Sequence, residues 1–163
     1  IKRKIGKTSK ILMEYPKLYS SIEKLEEKTT PKWGRMSSSM MLKHCSAFVD
    51  VYLNKTKLNP LIFIVGFVFG IFHRLYLNYI VRYNVKNYIK NLPTIKVFNT
   101  YQCENLDFEF EKNKLITDLK EVESINKKYL FNNFHGVVPN KAFKKVVYFH
   151  TSYHLYQFGV YSN

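Results

Sequence analysis

Asn140 to Val160 reads NKAFKKVVYFHTSYHLYQFGV, and this stretch decides the fold. Phe143, Val146, Val147, His150, Tyr153, His154 and Gln157 recur three or four residues apart, so a single helical stripe carries them. The predicted helix starts after Pro139 and runs to about Val160. Its stripe is apolar apart from the histidines, Tyr153 and Gln157, and an imidazole buried there without a partner is costly. Other helices must therefore supply both the rest of a core and partners for His150 and His154.

The same period recurs upstream. Met40, His44, Ala47 or Phe48, and Val51 mark a helix from the N-cap Ser37 to about Leu53, with His44 facing inward. Leu18, Ile22 and Leu25 stripe a first helix from about Pro16 to Lys28, which Thr29, Thr30, Pro31 and the Trp33-Gly34 pair then break. Phe108, Leu115, Leu119 and Val122 give a fourth helix from about Asp107 to Lys128, with acidic residues in its first turn as the macrodipole favours. After Asn59-Pro60, Leu61 to Tyr79 reads as a third helix, apolar almost all round near its start, which predicts burial on several sides. Arg82 to Asn105 is weaker: Leu92-Pro93 ends any helix, Lys96-Val97-Phe98 could be extended, and most of the segment reads as irregular. Asn132-Asn133 and His135-Gly136 read as a loop. Short connections between helices predict an all-α antiparallel bundle with an added helix and no sizeable sheet.

A chain of 163 residues is the length of one domain, so 1–163 is read as a single unit with 1–15 as a basic N-terminal extension. Cys45 and Cys103 lie far apart without Cys or His at zinc-finger spacing, which suits reduced thiols in the cytoplasm. Ile11-Leu12-Met13 after the basic stretch Ile1 to Lys10 is too short for a signal peptide. The longest apolar run, Leu61 to Phe72, falls short of the roughly twenty residues a spanning helix needs. Gly66 and Gly70 have a spacing common in membrane helices, but Arg74 and Arg82 cut any span short, so no membrane partner is expected.

The net charge of +14 raises nucleic acid as a partner. Lysines spread along the chain, as at Lys55, Lys57, Lys86, Lys90, Lys127, Lys128, Lys144 and Lys145, suit a solvated surface better than base readout. The high content of Phe and Tyr, thirteen of each, predicts a homodimer through aromatic helix faces.

His150 and His154 are four residues apart, so on a helix both rings reach one point beside it. That spacing arises easily by chance, and two packed or half-exposed histidines are the plain alternative. The apolar setting of the pair and the inward His44 tilt the balance toward a metal triad of His44, His150 and His154. Three imidazoles on a divalent ion leave a position for water or substrate. Tyr153 and Gln157 share the stripe and are candidates to hydrogen-bond to the ligand shell. Thr151 stands where zinc proteases of the His-Glu-x-x-His type carry their general base, and no Ser-His-Asp set or glycine-rich phosphate loop is present. Cys45 lies about a hundred degrees round the helix from His44 and reads as core.

Pro31-Lys32-Trp33-Gly34-Arg35-Met36-Ser37 with Met41-Leu42-Lys43-His44 resembles the Trp-Gly-x-Met-Ser and Met-Leu-x-His signature of a function-unassigned family within the DinB/YfiT-like superfamily. His135-Gly136, the His150-to-Leu155 segment and Gln157-Phe158-Gly159 are similar to its closing motif. Pro93-Thr94 and Asp107-Phe108-Glu109 match its Pro-Thr turn and acidic helix start, so the resemblance covers about residues 16 to 160. It implies a four-helix bundle, often dimeric, that holds a metal on His44, His150 and His154. The chain departs from the family at Tyr153, where a further histidine is common, and at Val138 and Phe143, where a threonine cap and a tryptophan are usual. The resemblance implies a zinc- or nickel-dependent hydrolase or thiol transferase acting on a small molecule. The competitors are a noncatalytic basic module that binds nucleic acid or another polyanion, and a structural protein whose metal only staples the bundle.

Overall fold

The computed structural model describes residues 14–56, 60–132 and 135–162. The basic stretch Ile1 to Lys10, Ile11 to Met13, Lys57, Asn59 and Asn133 lie outside them. The described chain is mainly α-helical: α1 (Tyr15–Glu23), α2 (Ser38–Tyr52), α3 (Pro60–Leu75), α4 (Phe108–Ser124) and α5 (Asn140–Gln157). Between α4 and α5 lies a hairpin of β1 (Tyr129–Asn132) and β2 (Gly136–Pro139), paired antiparallel with Leu130 opposite Val138.

Local chemistry sets the helix ends. The Ser37 hydroxyl accepts the Met40 N–H at 3.2 Å and starts α2. The Asp107 carboxylate accepts the Phe110 N–H at 2.9 Å and starts α4, with Glu109 and Glu111 in the favourable first turn. Asn140 begins α5 by donating its N–H to Lys128 O and its side-chain amide to Ile125 O, which ties the helix to the chain leaving α4.

α2 packs on α4 and α5, and α1 packs on α5 and α4. The core between them contains Leu18, Ile22, Met41, Leu42, Val49, Leu115, Leu119, Phe143, Val147 and Leu155, all sealed from solvent. Each such side chain stabilises the fold by about 1.5–3 kcal/mol relative to leaving it exposed.

Five expectations are corrected. α1 stops at Glu23, not Lys28, because Leu25 turns into the core while the Glu26 N–H finds the Thr29 hydroxyl. α4 stops at Ser124, short of Lys128, which frees the Lys128 carbonyl to receive α5. Lys96–Phe98 forms a 3-10 turn that buries Phe98 in place of an extended segment. Asn132 and Gly136, read as loop, end the paired strands of the hairpin, whose four-residue strands YLFN and GVVP are too short and too uniformly apolar to show an alternation. The fifth concerns α3, which continues through a π-helical turn, Tyr76–Val81, and ends at Arg82 in the left-handed region. Among its described side chains Ile64, Val68, Phe69, Ile71, Phe72 and Leu75 are exposed, so burial on several sides does not hold for them.

Candidate metal centre

α2 and α5 carry the site. Their mutual packing brings His44 from the middle of α2 against His150 and His154, one turn apart on α5. The ring centroids of His44 lie 5.1 Å from His150 and 4.7 Å from His154, and those of His150 and His154 are 4.8 Å apart. One ligand nitrogen from each ring lies within 4.8 Å of the others, so the three histidines are close enough to bind a metal ion. The structure thus brings together all three residues that the sequence singled out.

Hydrogen bonds fix two of the rings. His44 Nδ1 lies 2.7 Å from the Phe98 carbonyl, which can only accept, so Nδ1 carries the proton and Nε2 keeps its lone pair. Nε2 points at His150 Nε2, 3.2 Å away. His154 Nδ1 lies 2.9 Å from Gln157 Oε1, and Gln157 Nε2 donates at 2.6 Å to the Trp33 carbonyl. Because a carbonyl cannot donate, the Gln157 amide must face it with its NH2 group, which leaves Oε1 to accept from His154 Nδ1. His154 therefore also presents Nε2 as a lone pair. Donors of this kind, outside the ligand ring, orient metal-binding imidazoles and raise their basicity.

Gln157 reaches Trp33 because residue 34 is glycine. A Cβ on Gly34 would stand 2.7 Å from Gln157 Nε2, and its φ of +85° disfavours any side chain. The Trp33-Gly34 pair, in the sequence a helix breaker and part of the motif that carries the resemblance, thus sets the tautomer of a candidate ligand on α5. Tyr153, the other polar residue on the stripe, donates to Ile89 O at 3.3 Å, while its ring lies 5.2 Å from that of His154. It shapes the wall of the site and does not hydrogen-bond to the triad.

His150 is held by stacking, its ring 3.8 Å from Phe48 and inclined by 10°. Its Nδ1 is buried without a hydrogen-bond partner. Burial lowers the pKa of all three histidines: that of His44 despite the Phe98 carbonyl, that of His154 to about 3 despite Gln157, and that of His150 well below 6.5 with His154 and His44 adding to the effect. All three rings are neutral at pH 7 and ready to donate lone pairs.

The donor set suits a cation. His44 and His154 each offer an Nε2 lone pair beside the His150 ring, and a single His150 Nε2–H could satisfy only one of them. A tetrahedral zinc bound at 2.0–2.1 Å places two nitrogens about 3.3 Å apart, close to the 3.2 Å between His44 and His150. Among the described residues no fourth histidine, cysteine or carboxylate joins the three. Cys45 is buried in the core with Sγ 3.7 Å from Met41 Sδ, and burial raises its pKa, as expected of a packing thiol.

The other two histidines, His73 and His135, are not candidate ligands in the sequence reading, where His135 enters only with Gly136 in a loop and in the motif that carries the resemblance. Their rings lie 5.8 Å apart, His135 bonds to the buried Tyr52 hydroxyl, and His73 Nε2 lies 3.2 Å from the Tyr88 hydroxyl. Tyr52 stacks on Phe48, which stacks on His150, so aromatic contacts connect the pair to the triad. No sequence period could show this, because the contacts join α2, α3, the hairpin and α5.

The fold and the donor set define a mainly helical protein with a candidate three-histidine metal centre. No protein-family model, curated protein or solved structure matches the chain.

Proposed function

We propose that His44, His150 and His154 hold one divalent ion, zinc or nickel, and that the chain is a cytoplasmic metal-dependent hydrolase or thiol transferase acting on a small molecule. The observation that carries this reading is the pair of Nε2 lone pairs, one fixed by Phe98 O and the other by Gln157 and Trp33, on rings whose ligand nitrogens lie within 4.8 Å of one another. The fold is proposed to be a DinB-like four-helix bundle of α1, α2, α4 and α5 with α3 added. The ring of contacts from α2 to α5 to α1 to α4 supports it.

When bound, the ion supplies a Lewis acid that lowers the pKa of a coordinated water or thiol. The chain's own contribution is positional. Phe98 O and Gln157 hold two rings in the tautomer that donates from Nε2, and Phe48 lies flat against the third. The lack of a fourth protein donor among the described residues leaves room for a substrate atom, which favours catalysis over a structural staple.

Zinc titration by calorimetry, on protein free of a histidine tag, tests this. His150→Ala or His154→Ala should weaken binding by orders of magnitude, whereas His73→Ala should leave it nearly unchanged. Because burial keeps the three rings neutral, affinity should persist below pH 6, under the range of six to seven at which protons compete for an unperturbed imidazole. Equal zinc affinity in the His150→Ala and His73→Ala proteins would falsify the assignment.

A further inference from the structure

Between Val51 and Cys103 the sequence contains no Asp or Glu, while it includes Arg74, Arg82, Lys86, Lys90 and Lys96. This span forms α3, its π-helical extension and the turns that follow. Ile64, Val68, Ile71, Phe72, Leu75 and Tyr79 are exposed and recur at helical spacing, so they form one outward apolar stripe. Ile64 is 62%, Phe72 65% and Tyr79 72% exposed, values no core-facing stripe would show. Just beyond it, the exposed cations Arg82, Lys86, Lys90 and Lys96 alternate with the exposed Ile80, Ile89, Leu92 and Ile95. Among the described residues no carboxylate pairs with these cations, whereas the ion pairs join α4 to α1, to α2 and to Lys55 just after α2.

We propose that α3 and the segment following it dock on an anionic bilayer surface, with the helix lying along the membrane plane. This inference is independent of the metal centre. An exposed apolar stripe flanked by cations is the chemistry of an interfacial helix: the stripe enters the acyl boundary while the cations meet anionic headgroups. The aliphatic stems of Arg and Lys can lie over the apolar surface with their charges in the headgroup layer. No helix among the described residues is long and apolar enough to cross a membrane, so the contact is peripheral. It replaces the expectation of no membrane partner, which rested on the shortness of the span alone.

Charge selects the occupant. A second copy docked on the same face would bring two carboxylate-free cationic surfaces together, and like charges oppose that contact. A nucleic acid would engage the cations but leave Ile64, Val68, Phe72 and Leu75 in water.

The full chain is tested by co-sedimentation with vesicles of phosphatidylcholine alone or mixed with phosphatidylglycerol. It should pellet with the mixed vesicles and stay largely in solution with the neutral ones. Phe72→Ser with Leu75→Ser should abolish pelleting while circular dichroism and zinc stoichiometry stay those of the parent. Arg82→Glu with Lys86→Glu should weaken it by roughly tenfold or more. Failure to pellet with the mixed vesicles, or undiminished pelleting of the Phe72→Ser, Leu75→Ser protein, would overturn the proposal. A dimer dissolved by that same pair in protein that ignores vesicles would give the face to a second copy. Tight binding of an RNA duplex that tolerates the pair but not Lys86→Glu, without vesicle binding, would give it to nucleic acid.

Discussion

α3 and α4 are nearly equal in length, and they present opposite surfaces to water. α4 turns Leu115, Leu119 and Val122 into the core and borders it with ion pairs on the side of α2: Lys114 reaches the buried Asp118 at 2.7 Å, and Lys55 reaches Glu121 at 2.6 Å. α3 has no carboxylate and leaves its apolar stripe exposed. Both helices show the same periodic spacing in the sequence. The period tells which residues share a face; it does not tell what covers the face.

The largest test of this contrast uses pH. Asp and Glu are confined to residues 14–50 and 104–123, while His73, His135, His150 and His154 all lie outside those stretches. Burial lowers the pKa of His135 to about 3, with His73 and Arg74 adding to the effect, and that of His73 to about 4. Below the unfolded value of 6.5 the unfolded chain binds protons that the folded rings refuse. Stability of the metal-free protein should therefore fall as pH drops from 6.5 toward the folded values and level off beneath them. Each such histidine contributes a slope of up to about 1.4 kcal/mol per pH unit. Urea unfolding at pH 7, 6 and 5 measures it; a flat profile would mean that His73 and His135 are solvated and not buried as described.

Leu119→Ala in α4 and Leu75→Ala in α3 sharpen the comparison directly. Leu119 is sealed and Leu75 is 47% exposed. The first should cost about 2–5 kcal/mol, and the second should stay within about 0.5 kcal/mol. Comparable losses in urea melts would show that α3 is packed against something in the free protein.

What the sequence made legible follows the same division. α2, α4 and α5 were readable because their stripes are buried by one another, and the inward positions of His44, His150 and His154 came with that period. The added helix was readable as a helix but not as an exposed one. Phe98 O, the Gln157–Trp33 link and the clearance at Gly34 were hidden, since each joins segments far apart in sequence through a backbone carbonyl or an absent side chain. The segregation of carboxylates was visible in the residues all along. Counting lysines concealed it, because the lysines are spread evenly and only the acids are not.

The smallest expected effect concerns the ions of α4. Lys55 and Glu121 form an exposed pair at 2.6 Å, their side chains 40% and 47% exposed, while Lys55 also keeps Asp118 at 3.3 Å. Water screens such a pair, and ordering two long side chains offsets much of the attraction, so it contributes about 0.2–1 kcal/mol. Glu121→Gln should therefore lower stability by no more than that, and the loss should shrink further at high salt. Urea melts in low and high sodium chloride provide the measurement. A loss matching that of Leu119→Ala would mean that charge, not burial, holds α4 in place, and the contrast between the two helices would have to be drawn again on electrostatic terms. A small loss leaves burial as the source of α4's stability, and gives its ions a different consequence: they surround the lysines with carboxylates, so this face of the protein offers an anionic surface little net charge to hold.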